Sequence, residues 1–326
     1  MQGGKVRVRS GFQCASAVLM VRPRHFGYNA QTAGTNRFQM PGLAGPGAEG
    51  GGSEVSQRAL LEFDAFAAAL AAEGVTVCVV PDSDAPPKPD AVFPNNWVSF
   101  HADGTVVLYP MHAENRRIER RTEVVDAVVR ETGFEVRRVL DLTAHEKSGR
   151  FLEGTGSLVL DHASRVAYAC RSPRTDEAVA REWARELGYA LEFFTATDES
   201  GTAIYHTNVL MHVGTRIAVV ALDAIAARDR GRVEQRLRSS GRDIVAIDHD
   251  EMRGFAGNML EVGSWDEYLG DFTILVMSET ARSALATPKY KKLYASVDAV
   301  LAVPVEIIER HGGGSVRCML AEVFLP

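Results

Sequence analysis

Residues 157–194 read SLVLDHASRVAYACRSPRTDEAVAREWARELGYALEFF. Two short apolar runs, 157–160 and 166–170, flank the turn Asp161-His162 and predict a hairpin. Val179, Trp183 and Leu187 then mark one face of a helix that stops at Gly188. The apolar run 189–194 follows as a buried strand. The unit is strand, strand, helix, strand.

The same order recurs on both sides of this stretch. Ala59, Phe63, Phe66 and Leu70 predict a helix ending at Gly74, before the apolar run 75–80. Ile118, Val125, Val128 and Val129 predict another ending at Gly133, before 134–139. A weaker pattern, Val233 and Leu237, stops at Gly241 before 244–247. These four glycines are separated by 59, 55 and 53 residues, and a period of that length predicts a circular or stacked architecture. Strand pairs precede the later helices. Runs 97–100 and 106–109 flank Asp103-Gly104, runs 209–212 and 217–220 flank Val213-Gly214, and 259–262 pairs with 272–277 across a longer link. Run 299–303 ends the fifth unit. The first unit has one leading strand, 18–22, and the C-terminal run 318–324 is its predicted partner, which would hide two exposed edges. The predicted fold is α/β, a five-bladed propeller of ββαβ units about a pseudo-fivefold axis.

Domain organisation follows. Residues 1–16 are predicted to be a flexible tail, and 17–326 a single domain carrying a Gly-rich loop at 41–52 (PGLAGPGAEGGG). Gly45, Gly47 and Gly50 spell a dinucleotide fingerprint, but no strand precedes them, so the loop reading stands. At 326 residues, 46% hydrophobic and 24% charged, the chain can bury a sizeable core, and whole-length disorder is excluded. Thirty-six basic against forty-two acidic residues imply no basic face, which argues against nucleic-acid binding. Cys14, Cys78, Cys170 and Cys318 contain no C-x-x-C pair, which argues against a disulfide framework or structural zinc. The longest apolar stretches, such as 217–222, fall far short of a bilayer span, and the run 17–21 is too short for a secretory signal. The chain reads as a soluble protein of the reducing cytoplasm.

In a ring of repeats the equivalent loops converge on the axis, so polar residues at unit starts are the candidate chemistry. Four such segments stand out: Asp90 to Asn96 (DAVFPNN), Leu152 to Gly156 (LEGTG), His206-Thr-Asn208, and Gly312 to Cys318 (GGGSVRC). Together they hold a thiol, an imidazole, carboxylates and amides, the inventory of covalent cysteine catalysis. Other polar clusters are read as structural. Arg228-Asp-Arg-Gly-Arg232 is a solvated charge run, His212 a core residue, and Asp248-His249-Asp250 lacks the further ligands a metal needs.

These segments, with VRPRHFGYN (21–29), VFPNNWVSFH (92–101), LEGTGSLVLD (152–161) and GGGSVRCMLAE (312–322), resemble the guanidino-group modifying superfamily. Its members include arginine deiminases, dimethylarginine hydrolases and amidinotransferases, and they share the five-bladed pentein fold. The resemblance runs from about Ala17 onward and is nearest to the citrulline-utilisation hydrolase branch. It implies that Cys318 is the nucleophile, that His206 is the general acid/base, and that Glu153 contacts the substrate's terminal nitrogens and orients His206. Arg174, in Ser172-Pro-Arg-Thr175, matches an arginine that anchors a substrate α-carboxylate. Asp90 and Asn96 fall in the family's D-x-x-F-x-x-D pattern.

At two places the sequence departs from that pattern. Asn96 stands where enzymes acting on guanidinium carry Asp, and Asn208 stands where deiminases and amidinotransferases usually carry Asp. A guanidinium wants paired, charge-assisted bonds to carboxylate. A ureido group offers both donors and an acceptor, and an amide serves both. The expectation is a hydrolase that converts citrulline to ornithine, ammonia and carbon dioxide, with no metal and no organic cofactor. Arginine deiminase or dimethylarginine hydrolase is the first alternative; an amidinotransferase or a non-catalytic scaffold stands behind it.

Overall fold

The computed structural model describes residues 13–40, 51–266 and 270–324. Strand β1 (Ala17–Arg22) runs parallel to β2 (Thr76–Pro81). Next, β3 (Val98–Phe100) is antiparallel to β4 (Thr105–Leu108), which is parallel to β5 (Arg138–Asp141). That antiparallel-then-parallel trio returns three times. It comprises β6 (Val159–Asp161), β7 (Val166–Cys170) and β8 (Ala190–Phe194). It recurs as β9 (Met211–Val213), β10 (Ile217–Val220) and β11 (Asp243–Ala246). The last is β12 (Leu260–Asp266), β13 (Gly270–Ser278) and β14 (Ala299–Val303).

The predicted partner of the first strand is present. β15 (Ala321–Val323) lies antiparallel to β1 and completes a fifth trio from the far end of the chain. Helices cross between the parallel strands of each trio, as a parallel pair requires. They are Gly51–Ala72, Thr122–Thr132, Glu177–Leu187, Ala227–Ser239 and the pair Glu279–Ala284 and Thr287–Tyr294. Gly133 and Gly188 end their helices in the left-handed conformation, which costs a glycine nothing because it has no Cβ.

Among the described residues the five trios are not five separate sheets. Val323 of β15 also pairs with Phe100 of β3, so the first two trios fuse into one six-stranded sheet beside three three-stranded ones. Among the described residues no sheet closes on itself. The architecture is mixed α/β. No described helix is long and apolar enough to cross a membrane.

Several elements differ from the sequence reading. The run 134–139 enters a strand only at Arg138, and that strand is largely exposed, while the C-terminal run 318–324 is a strand only over Ala321–Val323. The part of the predicted tail from Gln13 to Ser16 is packed: Gln13 Nε2 donates to the carbonyls of Leu160 and Val213 at 2.8 and 3.0 Å. Residues 1–12 and 41–50 lie outside the described residues, but 51 and 52, assigned to the Gly-rich loop, open the helix Gly51–Ala72. The second helix turns a different face inward. It buries Val124, Ala127 and Val128, whereas Val129 is exposed and Ile118 sits exposed in the preceding 3-10 turn Glu114–Glu119. The other three predicted stripes (59/63/66/70, 179/183/187 and 233/237) are buried throughout.

The strands begin with short turns, and these turns rest on one another. Gly154 sits against the backbone of Asn95 and Asn96. Thr207 Oγ1 donates to the Ser157 carbonyl at 2.6 Å. Asn258 Nδ2 donates to the Asn208 carbonyl at 2.9 Å and reaches Cys318 Sγ at 3.3 Å. The contacts therefore run from the second trio through the third, fourth and fifth to the first, and the β15–β3 pairing joins the first back to the second.

Candidate active site

The strand-opening turns align in register. Asn96-Trp-Val, Gly156-Ser-Leu, Asn208-Val-Leu, Asn258-Met-Leu and Cys318-Met-Leu each lead into the first strand of a trio, and the pair after the leading residue is buried in every case. Cys318, His206, Glu153, Asn96, Asn208, Asp90 and Arg174 are all buried, at most 3% exposed. One cavity is lined by Thr32, Asp90, Asn96, Arg174, His206 and Cys318 among others.

Cys318 Sγ lies between two amides, Asn258 Nδ2 at 3.3 Å and Asn208 Nδ2 at 3.5 Å. Burial pushes its pKa up; the bond from Asn258, the contact with the Ser315 backbone, the bond from Asn208 and the Arg317 charge pull it back only in part. The resting group is a thiol. Asn208 thus sits beside the sulfur and not among the residues that line the cavity.

His206 Nε2 is 2.8 Å from Glu153 Oε2. Burial alone would raise the Glu153 carboxyl, but the Arg174 charge, the His206 hydrogen bond and the Arg116 charge together hold it well below the usual range. Glu153 is therefore an acceptor, and the His206 proton sits on Nε2, leaving Nδ1 free. Burial lowers the His206 pKa to about 4 against the pull of Glu153, so the resting imidazole is neutral. Glu153 stands behind His206: its Oε1 accepts from the His112 backbone at 3.0 Å, and it is not on the cavity wall.

Asn96 faces two ways. Its Oδ1 accepts from Arg116 Nη1 at 2.8 Å. Arg116 can only donate, so the amide oxygen must point at it and Nδ2 must point away. That Nδ2 is buried without a partner. Arg116 is fixed by Glu119 at 2.9–3.2 Å and by the Phe93 carbonyl at 3.2 Å. Asp90 Oδ2 accepts from Asn29 Nδ2 and Thr32 Oγ1 at 2.8 and 3.2 Å, while Oδ1 is buried and unpartnered. Asn96 and Asp90, both on the cavity wall, thus each carry a buried polar atom without a partner, an amide donor and a carboxylate oxygen.

Arg174 is already engaged. Its Nε and Nη2 donate to Thr35 Oγ1 at 2.9 and 2.6 Å, Nη2 also to the Thr32 carbonyl at 2.8 Å, and Nη1 lies 3.5 Å from Glu153. It ties the 29–36 segment to the site.

Glycines make this convergence possible. A Cβ at Gly156 would stand 2.5 Å from Asn96 Nδ2 and 2.7 Å from His206 Nδ1. At Gly313, in the left-handed conformation, one would strike Asn36 and Gln39, while Gly312 and Gly314 lie under the Phe93 ring. Gly156→Ala is expected to displace His206 and Asn96 together and to lower turnover by about 10²-fold. The thermal midpoint should move little beside that loss, and steady-state kinetics with a melting curve would check both.

The four segments singled out in the sequence meet in this structure, but sequence reasoning did not single out Asn258 or Arg116. Asn258 carries the same signal as the others, a polar residue opening an apolar strand in Phe255-Ala-Gly-Asn258-Met259-Leu260. Arg116 lies in an ordinary charged stretch, and nothing local marks it. Arg228–Arg232 and His212 are where they were expected: the Arg228 side chain is exposed and His212 is buried. Asp248 caps the helix His249–Arg253 through a capping box.

Comparisons with known proteins agree with the superfamily resemblance. The family described as N,N dimethylarginine dimethylhydrolase, eukaryotic, matches residues 22–325. No sequence among the curated proteins matches the chain. Among solved structures, ArgZ, an arginine dihydrolase from the ornithine-ammonia cycle in cyanobacteria, is 20% identical with a TM-score of 0.68, over 95% of this chain and 41% of that one. The N-terminal domain of ArgZ bound to substrate has the same identity and TM-score, and 99% of it is covered. A dimethylarginine dimethylaminohydrolase adduct with 4-chloro-2-hydroxymethylpyridine is 16% identical with a TM-score of 0.59, over 94% of this chain and 99% of that one. The chain thus spans about two-fifths of full-length ArgZ and nearly all of its N-terminal domain. Likeness at these identities speaks for the fold.

Proposed function

The chain belongs to the N,N dimethylarginine dimethylhydrolase family, hydrolases of non-peptide C–N bonds, and from that premise we propose that it hydrolyses the ureido group of citrulline through a covalent adduct on Cys318. The observation that carries the choice of substrate is the Asn96 amide. Arg116 holds its oxygen, so a buried, unpartnered N–H donor is left for a ligand. A ureido oxygen satisfies a donor; a guanidinium, which has only donors, leaves it unsatisfied. In this reading the fold is the five-bladed pentein propeller, an assignment supported by the five strand trios and the cyclic contacts of their opening turns.

The steps balance with the chain's own groups. The Cys318 thiol passes its proton to His206 Nδ1, and the thiolate attacks the ureido carbon, whose oxygen takes the Asn96 N–H. The imidazolium, stabilised by Glu153, protonates the terminal nitrogen, which leaves as ammonia, and a thiocarbamate joins Cys318 to the ornithine nitrogen. Neutral His206 then takes a proton from water; the hydroxide displaces the thiolate, which recovers the proton. The released carbamate decomposes to ornithine and carbon dioxide. Arg174 is the expected anchor for the substrate's α-carboxylate.

A second reading rests on Asp90. Its unpartnered Oδ1 would accept from a guanidinium N–H, which favours arginine or a methylated arginine as substrate. Product analysis separates the two. Citrulline, arginine and dimethylarginine would be incubated separately, with ammonia, dimethylamine, ornithine and citrulline quantified. Ornithine from citrulline is the expected result; citrulline accumulating from arginine, with citrulline itself untouched, would transfer the assignment to the guanidino reading.

A further inference from the structure

The structure assigns Asn258 as a catalytic residue: its amide donates directly to Cys318 Sγ and stabilises the thiolate that attacks the substrate. This inference rests on the reading of Cys318 as nucleophile. The partners of the amide set its direction. Asn258 Nδ2 is 2.9 Å from the Asn208 carbonyl, which only accepts, so the nitrogen is fixed on that side. The same nitrogen lies 3.3 Å from Cys318 Sγ, closer than the Asn258 oxygen at 3.7 Å. An NH₂ group has two hydrogens, one for the Asn208 carbonyl and one for the sulfur. Asn208 makes a longer contact, with Nδ2 at 3.5 Å, and has no such fixed direction. Asn258 is fully buried, so its bond to sulfur is shielded from competing water.

Local sequence explains why the amide arrives there. Gly257 lies against the backbone of Val209, Leu210 and Met211, where any Cβ would collide. The 255–258 turn can therefore press onto the 207–210 turn and bring the next residue up to the sulfur. Donation to a thiolate is charge-assisted and stronger than donation to a thiol, so the bond gains strength as the proton leaves for His206. The interaction favours the reacting state over the resting one.

The test is the pH dependence of Cys318 alkylation by iodoacetamide, followed on the Cys318 peptide by mass spectrometry, beside steady-state hydrolysis. His206, Asp90, Arg116, Arg174 and Tyr205 share the cavity with the sulfur and Arg317 adjoins it. All are unchanged in the variant, so a shift from wild type reports the amide. Asn258→Ala should raise the alkylation midpoint by about one pH unit and lower kcat by about 10²-fold with KM nearly unchanged. If alanine at this site prevents folding, Asn258→Ser keeps a polar group near the Asn208 carbonyl but withdraws the amide from Sγ, and the same shift is expected. A folded variant with an unmoved midpoint and wild-type kcat would overturn the inference. A fully active Cys318→Ser enzyme would instead sink the functional reading, whereas an inactive one alongside an unmoved Asn258→Ala midpoint would remove only the role of Asn258.

Discussion

Cys318→Ser is expected to lower citrulline hydrolysis by about 10⁴-fold or more, with the fold intact. Serine fits the space. The turn that presents residue 318 is held by the backbone, the Cys318 N–H donating to the Ser315 carbonyl at 2.9 Å, and by the buried Met319 and Leu320. The loss is chemical: a hydroxyl is far harder to ionise than a thiol, and burial of the site makes that harder still. His206, its pKa lowered to about 4 by burial, must take the proton of the attacking group in either enzyme, and an alcohol yields that proton far less readily than a thiol. The comparison is initial rates of ammonia release for both enzymes, with melting curves as the folding control. A rate within tenfold of wild type would exclude Cys318 as nucleophile. Cys14, Cys78 and Cys170 offer no substitute, because none of them lines the cavity that holds Cys318 and His206.

Asn96→Asp should invert substrate preference, lowering the citrulline-to-arginine ratio of kcat/KM by about 10²-fold or more. The carboxylate introduced there would keep one oxygen on Arg116 and place the other where Asn96 now presents N–H. A ureido oxygen would then meet a carboxylate oxygen, and a guanidinium would gain a charge-assisted partner. The two substrates in competition give the ratio directly. A ratio unmoved by the substitution would mean that Asn96 Nδ2 does not face the reacting group.

Much of this arrangement was legible because it rests on local rules. The helix-ending glycines repeat because four of the five units turn from helix to strand through a left-handed glycine, Gly74, Gly133, Gly188 and Gly241, and a strand follows each one. The site segments announced themselves as polar residues opening apolar strands, which is costly unless the group is used. The remainder depended on partners far away in the chain. Gln13 is packed because the carbonyls of Leu160 and Val213 await its amide. Val128 but not Val129 faces inward because of what covers that helix, and hydropathy cannot tell the two valines apart. The fusion of the first two trios turns on one residue pair, Val323 with Phe100. Asn96 is the instructive case. Its departure from the family pattern pointed to a ureido substrate, but the direction of its amide is set by Arg116, twenty residues on, which no motif marked.

Hydrolysis through a bond between citrulline and Cys318 leaves a physical trace on the enzyme. It is read from the mass of the Cys318 peptide after rapid mixing with citrulline and acid quenching. A transient increment equal to citrulline less ammonia is expected, confined to that peptide and absent when His206 is intact but Cys318 is replaced by serine. An unmodified peptide while ornithine and ammonia accumulate would contradict the mechanism, because hydrolysis would then proceed without the thiol.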